Sequence, residues 1–348
     1  MGFFSGEITD DGYIPSKFHQ LIWPKHASGN KVNGVGNAGR YRPVQSYHKH
    51  HPFYPFGLAE QWFIHKCMYD FRISNWYFKH WVTENIKRLG KVAGQKQENS
   101  PESWTRIVKK KALTDEDIHV VGICRMNPEW VFADRDIPRG KWVIMLGRRM
   151  DYDEFSKNMK GDFVSQCREV IKSYVKGQET GYRLANWIRK QGYYASFKGG
   201  LSDDHLFLVI PAAIEAGLGQ LGKHGSMISD ELGSSFRLTP ILTDMPLVPD
   251  KPRDIGVDDF CMSCRLCTRD CPADAISDEK QMVRGDMKWY VDFDKCVPAF
   301  NELYACGLCL AVCPWSRPGG APKLTQKMMQ RRERKPAIDV QALHCTTL

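Results

Sequence analysis

The stretch that decides the fold reads Cys261-Met262-Ser263-Cys264-Arg265-Leu266-Cys267-Thr268-Arg269-Asp270-Cys271-Pro272. Its spacing, C-x2-C-x2-C-x3-C-P, is the bacterial arrangement for a cubane iron–sulfur cluster. Three thiolates hold three corners, and the fourth cysteine ligates a second cluster. A partner half follows as Cys296, then Cys306-Gly307-Leu308-Cys309, then Cys313-Pro314. A regular second motif needs cysteine at 303, where this chain has Leu303, so Cys296 substitutes as the missing ligand. The sets then close as Cys261, Cys264, Cys267 and Cys313 for one [4Fe–4S] cluster. Cys271, Cys296, Cys306 and Cys309 remain for the other. Zinc knuckles also use paired C-x2-C units, but do not require the two x3-Cys-Pro endings found here.

Eight of the 12 cysteines fall between 261 and 313, whereas Cys67, Cys124, Cys167 and Cys345 are scattered and read as thiols without a role. Clustered thiols in a chain without a secretory signal point to a reducing compartment and metal binding rather than structural disulfides. The start, Met1-Gly2-Phe3-Phe4-Ser5-Gly6-Glu7, has no basic segment followed by an apolar one. The Arg-Arg pairs, Arg148-Arg149 and Arg331-Arg332, lie far from it. A cytoplasmic location is therefore expected. No apolar run reaches the roughly 18 residues of a membrane span. The best, Leu206 to Leu221, is interrupted by Pro211, Glu215 and two glycines.

At 348 residues, with 42% hydrophobic and 26% charged residues, the composition predicts two or three folded domains and excludes wholesale disorder. Residues 1–55 read as an irregular arm rich in Gly, Pro, His and aromatics. Two aromatic amphipathic helices are expected between Phe56 and Gly90, closing an N-terminal region of 1–111 whose last part, 91–111, reads as an exposed connection. Residues 112–255 read as an α/β core, with strands at Val120–Ile123 and Trp142–Leu146. Its helices are expected at 162–175, at 182–190 before Gly192, and at 212–216. The cysteine module spans 256–320, and 321–348 is a basic tail packed on the outside as a helix or arm.

Several weaker signals have plainer readings. Gly217, Gly219 and Gly222 match G-x-G-x-x-G, with Asp244 beyond, but the residues before them look helical, whereas a dinucleotide fingerprint joins a strand to a helix. A glycine-rich turn close to another large cofactor is the expectation. His48, His50 and His51, with His65, read as solvated or hydrogen-bonding residues. The net charge of +9 is dispersed, which suits a docking face for an acidic electron donor better than a nucleic-acid stripe. Without further information Tyr182 is a packed core tyrosine, Lys223 a solvated cation and Asp203-Asp204 a surface turn.

Three stretches together resemble the cobalamin-dependent reductive dehalogenase family. They are Asp292-Phe-Asp-Lys-Cys296-Val-Pro-Ala-Phe-Asn-Glu-Leu-Tyr-Ala-Cys306-Gly-Leu-Cys309-Leu-Ala-Val-Cys313-Pro-Trp-Ser, Gly181-Tyr-Arg-Leu-Ala-Asn-Trp-Ile-Arg-Lys-Gln-Gly-Tyr-Tyr-Ala195, and Ala213-Ile-Glu-Ala-Gly-Leu-Gly-Gln-Leu-Gly-Lys-His-Gly225. The resemblance covers roughly 118–320. It implies a nitroreductase-like α+β or α/β core holding a base-off corrinoid (cobalamin), with a C-terminal ferredoxin-like module of two [4Fe–4S] clusters. It places a proton-donating tyrosine at Tyr182 and a cation at Lys223, where many members have arginine. The glycine segment, Gly217, Gly219, Gly222 and His224, becomes the cofactor-binding stretch. The implied reaction is reductive dehalogenation of an organohalide, with the aromatic-rich arm helping to form the pocket. A separate electron donor such as a ferredoxin or flavodoxin is implied, because the chain is too short for an appended one.

The epoxyqueuosine reductase family, which modifies tRNA, is the nearest rival. Its GLGWIGK segment resembles Gly217-Leu-Gly-Gln-Leu-Gly-Lys223, and its catalytic acid falls near Asp203. A third reading, a non-catalytic electron-transfer subunit, needs only the cysteine module and leaves the central domain unexplained.

Overall fold

A computed structural model describes residues 2–10, 12–45, 47, 54–86, 89–197 and 205–334. The larger helices are α1 (Gly57–Tyr69), α2 (Phe71–Ile86), α3 (Pro101–Leu113), α4 (Phe163–Lys190), α5 (Val209–Glu215), α6 (Val257–Ser263), α7 (Phe293–Glu302) and α8 (Gly320–Arg334). Strands β1 (Val120–Arg125), β2 (Trp142–Arg149), β3 (Ala195–Phe197) and β4 (Phe236–Thr243) form one sheet. Their order is β1-β2-β4-β3 and every pair is antiparallel, so the core is α+β.

Alternation along the strands buries both faces of the sheet. Ile123, Ile144, Leu146 and Ile241 pack with Trp104 and Val108 of α3 and Leu184 and Ile188 of α4. Cys124, Val143, Met145 and Leu242 face the other way, against Ala212 and Ala213 of α5 and Leu218. Gly122 lies where α5 ends: a Cβ there would come within 2.2 Å of the Ala216 carbonyl oxygen.

Three sequence expectations change. Residues 101–113 are a helix, not an exposed connection. The Ser100 hydroxyl caps it by accepting from the Ser103 N–H at 3.2 Å, Pro101 opens it, and Trp104, Val108 and Ala112 bury one face. The two helices expected at 162–175 and 182–190 are one helix, α4. Gly177 and Gly181, which weaken a helix interior, sit where a Cβ would meet Thr239 and the Phe197 ring at 2.4 and 2.5 Å. Close approach to the sheet outweighs their poor propensity. β4, with Pro240 inside it, is read by no strand pattern. Pro240 lies just beyond Ile241, the last β4 residue paired with the described part of β3.

The N-terminal hairpin of α1 and α2 packs on α4, and α8 lies along the cysteine module, with Arg332 ion-paired to Asp254 at 2.8 Å and Asp259 at 2.6 Å. The arm is anchored as well. Asn30 donates to Asp292 at 2.9 Å and accepts from the Phe293 N–H at 2.8 Å. The Gly29 N–H donates to Asp294 at 2.7 Å. These contacts fasten the arm to the start of α7, the helix that carries Cys296.

Candidate functional site

Four of the eight module cysteines sit on helices. Cys261 is on α6, Cys267 on the short helix Leu266–Arg269, Cys296 on α7 and Cys309 on Leu308–Ala311. Asp292 caps α7, its side chain accepting from the Lys295 N–H at 3.0 Å. Cys296 and Leu303 are seven residues apart, two helical turns, so α7 directs both positions to one side. There Cys271, Cys296 and Leu303 pack around Ala273, Ala275 and Ala299.

The thiols influence one another in two groups. Burial first, and then the charges of Cys261 and Cys267, push Cys313 up to about 12. Burial and the nearby Cys306 and Cys271 do the same for Cys296, also to about 12. Cys309 is raised well above the usual thiol range by burial, then by Cys306, Cys296 and Cys271, with Cys267 of the other group last. Among the described residues no three metal-ligating side chains converge as one ion would require. In a cubane each thiolate binds its own iron, so its sulfurs stand further apart than those around a single zinc. The donor set, all thiol, fits iron–sulfur cubanes.

The glycine segment turns out to be a clasp. Gln220–Leu221 and Met227–Ile228 form a two-stranded hairpin, closed by the Gly222 N–H donating to the Ser226 carbonyl at 2.8 Å. Gly217 has φ +74°, and a Cβ at Gly219 would lie 2.0 Å from the Ile228 carbonyl oxygen. The chain's own backbone therefore accounts for these two glycines, while a Cβ at Gly222 would press on the His224 ring. The Gln220 side chain accepts from the Ile255 and Val257 N–H groups at 2.8 and 3.2 Å, gripping the entrance to the cysteine module. The His224 ring is buried and held at about 4. Its Nδ1 accepts from the Ser226 N–H at 3.2 Å, and its Nε2 meets no polar group.

Lys223 is not solvated. It is 1% exposed, its ammonium lies 2.9 Å from Asp278 and 5.1 Å from the centre of the Trp289 ring. Tyr182 lies elsewhere, half-buried on α4 at the edge of the sheet core, its ring edge-on to Phe197 at 5.4 Å. Tyr182 packs against the sheet core, while Lys223 contacts Asp278 and Trp289 beside the cysteine module. Asp203, His48, His50, His51 and Cys345 lie outside the described residues. His65 Nδ1–H donates to the Gln61 carbonyl, 2.7 Å away, as expected for a hydrogen-bonding histidine. Cys67 and Cys167 are buried and face each other at 3.9 Å, a pairing that their separation in sequence hid.

Between the sheet core and the cysteine module runs a seam that sequence reading missed. Asn158, whose segment abuts Leu308–Ala311, Gln166 beside Gly307, Ser235 and Trp315 along one cleft, and Arg237 over the Tyr174 ring all carry buried polar atoms without a hydrogen-bond partner. The cleft is about 370 Å³ and includes Tyr152 and Arg317. A buried polar atom left unmet costs roughly 1–3 kcal/mol, so their concentration on one seam suits a further polar group there.

A model of a 4Fe-4S dicluster domain matches residues 260–316. Tetrachloroethene reductive dehalogenase of Desulfitobacterium hafniense is 33% identical over 221 residues, covering 60% of this chain and 38% of that protein. Its counterpart from Sulfurospirillum multivorans is 40% identical over 144 residues, 38% of this chain and 28% of that protein. Epoxyqueuosine reductase of Vibrio cholerae is 29% identical over 203 residues, covering 54% of this chain and 53% of that protein. The catabolic reductive dehalogenase NpRdhA superposes with a TM-score of 0.70 at 23% identity over 88% of this chain and 46% of its own, a likeness of fold. The chain thus spans about two fifths of the length of the dehalogenase it matches over 221 residues. In sequence the chain is similar to reductive dehalogenases over 221 residues, and it shares their fold.

Proposed function

We propose that this chain is a corrinoid-dependent iron–sulfur reductase that removes halide from an organic substrate. The observation that carries the reading is the 4Fe-4S dicluster match over 260–316, which holds all eight module cysteines, fastened to an α+β core by the Gln220 clasp. Cys261, Cys264, Cys267 and Cys313 would hold one [4Fe–4S] cluster, and Cys271, Cys296, Cys306 and Cys309 the other. Asn158, Gln166, Ser235, Arg237 and His224 carry the unmet polar atoms that would hold the corrinoid. When bound, the corrinoid would supply low-valent cobalt for reductive cleavage of the carbon–halogen bond, and the clusters would supply its electrons.

The net change consumes two electrons and one proton per halide released, R–X becoming R–H and X⁻. Tyr182 holds that proton on its hydroxyl, and general-acid catalysis of this kind contributes about 10²–10⁴-fold. Lys223 does not serve as the halide cation, since its ammonium is buried and already bound by Asp278. A separate low-potential carrier, a ferredoxin or flavodoxin, would supply the electrons, and the reducing cytoplasm is the fitting compartment. Among the described residues no helix is long and apolar enough to cross a membrane.

A second reading, reduction of a modified tRNA base, is favoured by the match to epoxyqueuosine reductase and by lysine at 223. Anaerobic reconstitution with iron, sulfide and cobalamin tests both. About eight irons and one cobalt per chain, with halide released from organohalides, are expected. Turnover of modified tRNA without halide release would select the second reading, and iron without corrinoid uptake would leave an electron-transfer subunit. Tyr182→Phe should depress halide release while iron and cobalt contents hold. Full activity in that variant, with loss in Asp203→Asn, would move the proton to Asp203.

A further inference from the structure

Among the described residues Lys223 is the one lysine in the set of largest fully buried side chains, and its neighbours Asp278 and Trp289 belong to the cysteine module. Its Nζ lies 2.9 Å from Asp278 Oδ1, and the same oxygen accepts from the Thr268 hydroxyl at 3.1 Å, one residue past Cys267. On the other side it faces Trp289, whose indole donates to Asp258 at 2.9 Å and which packs in one core with Cys261 and Cys313.

We propose that Lys223 is a positioning residue for electron transfer: its buried ammonium raises the reduction potential of the cluster held by Cys261, Cys264, Cys267 and Cys313, and it does not touch substrate. This rests on the iron–sulfur reading above. A reduced cubane carries one more negative charge than its oxidised form, so a fixed cation beside its ligands favours reduction. Screening is weak in a buried site, and hydrogen bonds and charge near the sulfurs are established determinants of cluster potential. Asp278 is the counter-ion that makes the burial tolerable. Removing the lysine alone therefore leaves Asp278 beside the cluster with only the exposed Arg265, 3.3 Å away, as counter-charge, and removing both takes the pair out together.

The test is an EPR-monitored redox titration of the reconstituted chain, with Cys264→Ser used to identify which signal belongs to this cluster. Lys223→Gln should shift that cluster alone to a more negative potential, with iron content and the second cluster unchanged. Lys223→Arg should hold the wild-type value, and Lys223→Gln/Asp278→Asn should recover part of the shift. A merely structural lysine would give no such recovery. Should Lys223→Gln fail to retain iron, Asp278→Asn is read in its place, with a positive shift of the same cluster expected. Unmoved potentials, or equal shifts of both clusters, overturn the proposal. Absence of any [4Fe–4S] signal from the wild-type chain would instead overturn the reading beneath it.

Discussion

The backbone N–H of Ser16 donates to both carboxylate oxygens of Glu302, at 3.0 and 3.2 Å, across 286 residues of chain. The Tyr13 hydroxyl donates to the same carboxylate, and the Lys66 ammonium to the Glu302 carbonyl. Glu302 ends α7, so one side chain ties the arm to the helix that presents Cys296. Burial and this carboxylate together hold the Tyr13 phenol well above its usual range, which keeps it a donor at every working pH.

Glu302→Gln keeps the shape but removes the charge that two donors share. Hydrogen bonds to a charged group contribute about 1.5–3 kcal/mol, so a loss of about 2–3 kcal/mol is expected. Hydrogen exchange should quicken in residues 13–23 before it does in the sheet. Equal protection in both proteins would mean that the arm is held by its other contacts, among them those of Gly29 and Asn30 with the start of α7.

His19, in the same arm, gives the docking a pH dependence. Burial, helped by Lys66 and opposed by Glu302, lowers its pKa to about 4. The unfolded chain, near the ordinary 6.5, takes up a proton that the folded state refuses. The stability is therefore fully present above pH 6.5 and lost as pH falls toward 4. Between pH 7.5 and 5 the loss from this residue is about 2 kcal/mol. His224, also held at about 4, adds a change of the same sign. Urea unfolding at the two pH values should show the difference shrinking in His19→Gln. An unchanged pH dependence in that variant would place the titrating group elsewhere.

The cysteine spacing was legible because ligand chemistry dictates it locally. The arm's attachment was not, because Ser16, Asn30 and Tyr13 are recognised by residues more than 250 positions away. α3 was obscured by the Lys109-Lys110-Lys111 run, which dilutes the spacing of Trp104, Val108 and Ala112. Gly177 and Gly181 looked like a helix break because only the sheet beneath them explains their lack of side chains. Lys223 was visible as a residue, but its burial against Asp278 and Trp289 is a tertiary fact.

Cys67 and Cys167 test the boundary between ligand and packing thiols. The hydrogen bond with Cys67, and then burial, keep Cys167 well above the usual thiol range, so it is protonated and a poor ligand. Cys67→Ala should leave the iron content unchanged and destabilise the α1–α4 contact by about 1–2 kcal/mol through the cavity left. Loss of iron in that variant would make the pair part of the metal chemistry.

Cys296 gives the sharpest test of the ligand sets. It stands two helical turns before Leu303, the position that a regular motif would use, and both side chains pack in the core that holds Cys271. Cys296→Ser should therefore lose one cluster, lowering the count from about eight irons to about four. The EPR signal of the cluster held by Cys261, Cys264, Cys267 and Cys313 should survive. Because α7 directs positions 296 and 303 to one side, adding Leu303→Cys to that variant should recover iron in part. A single variant that keeps all its iron would remove Cys296 from the ligand set. One that loses both clusters would show that the two halves of the module fold only together.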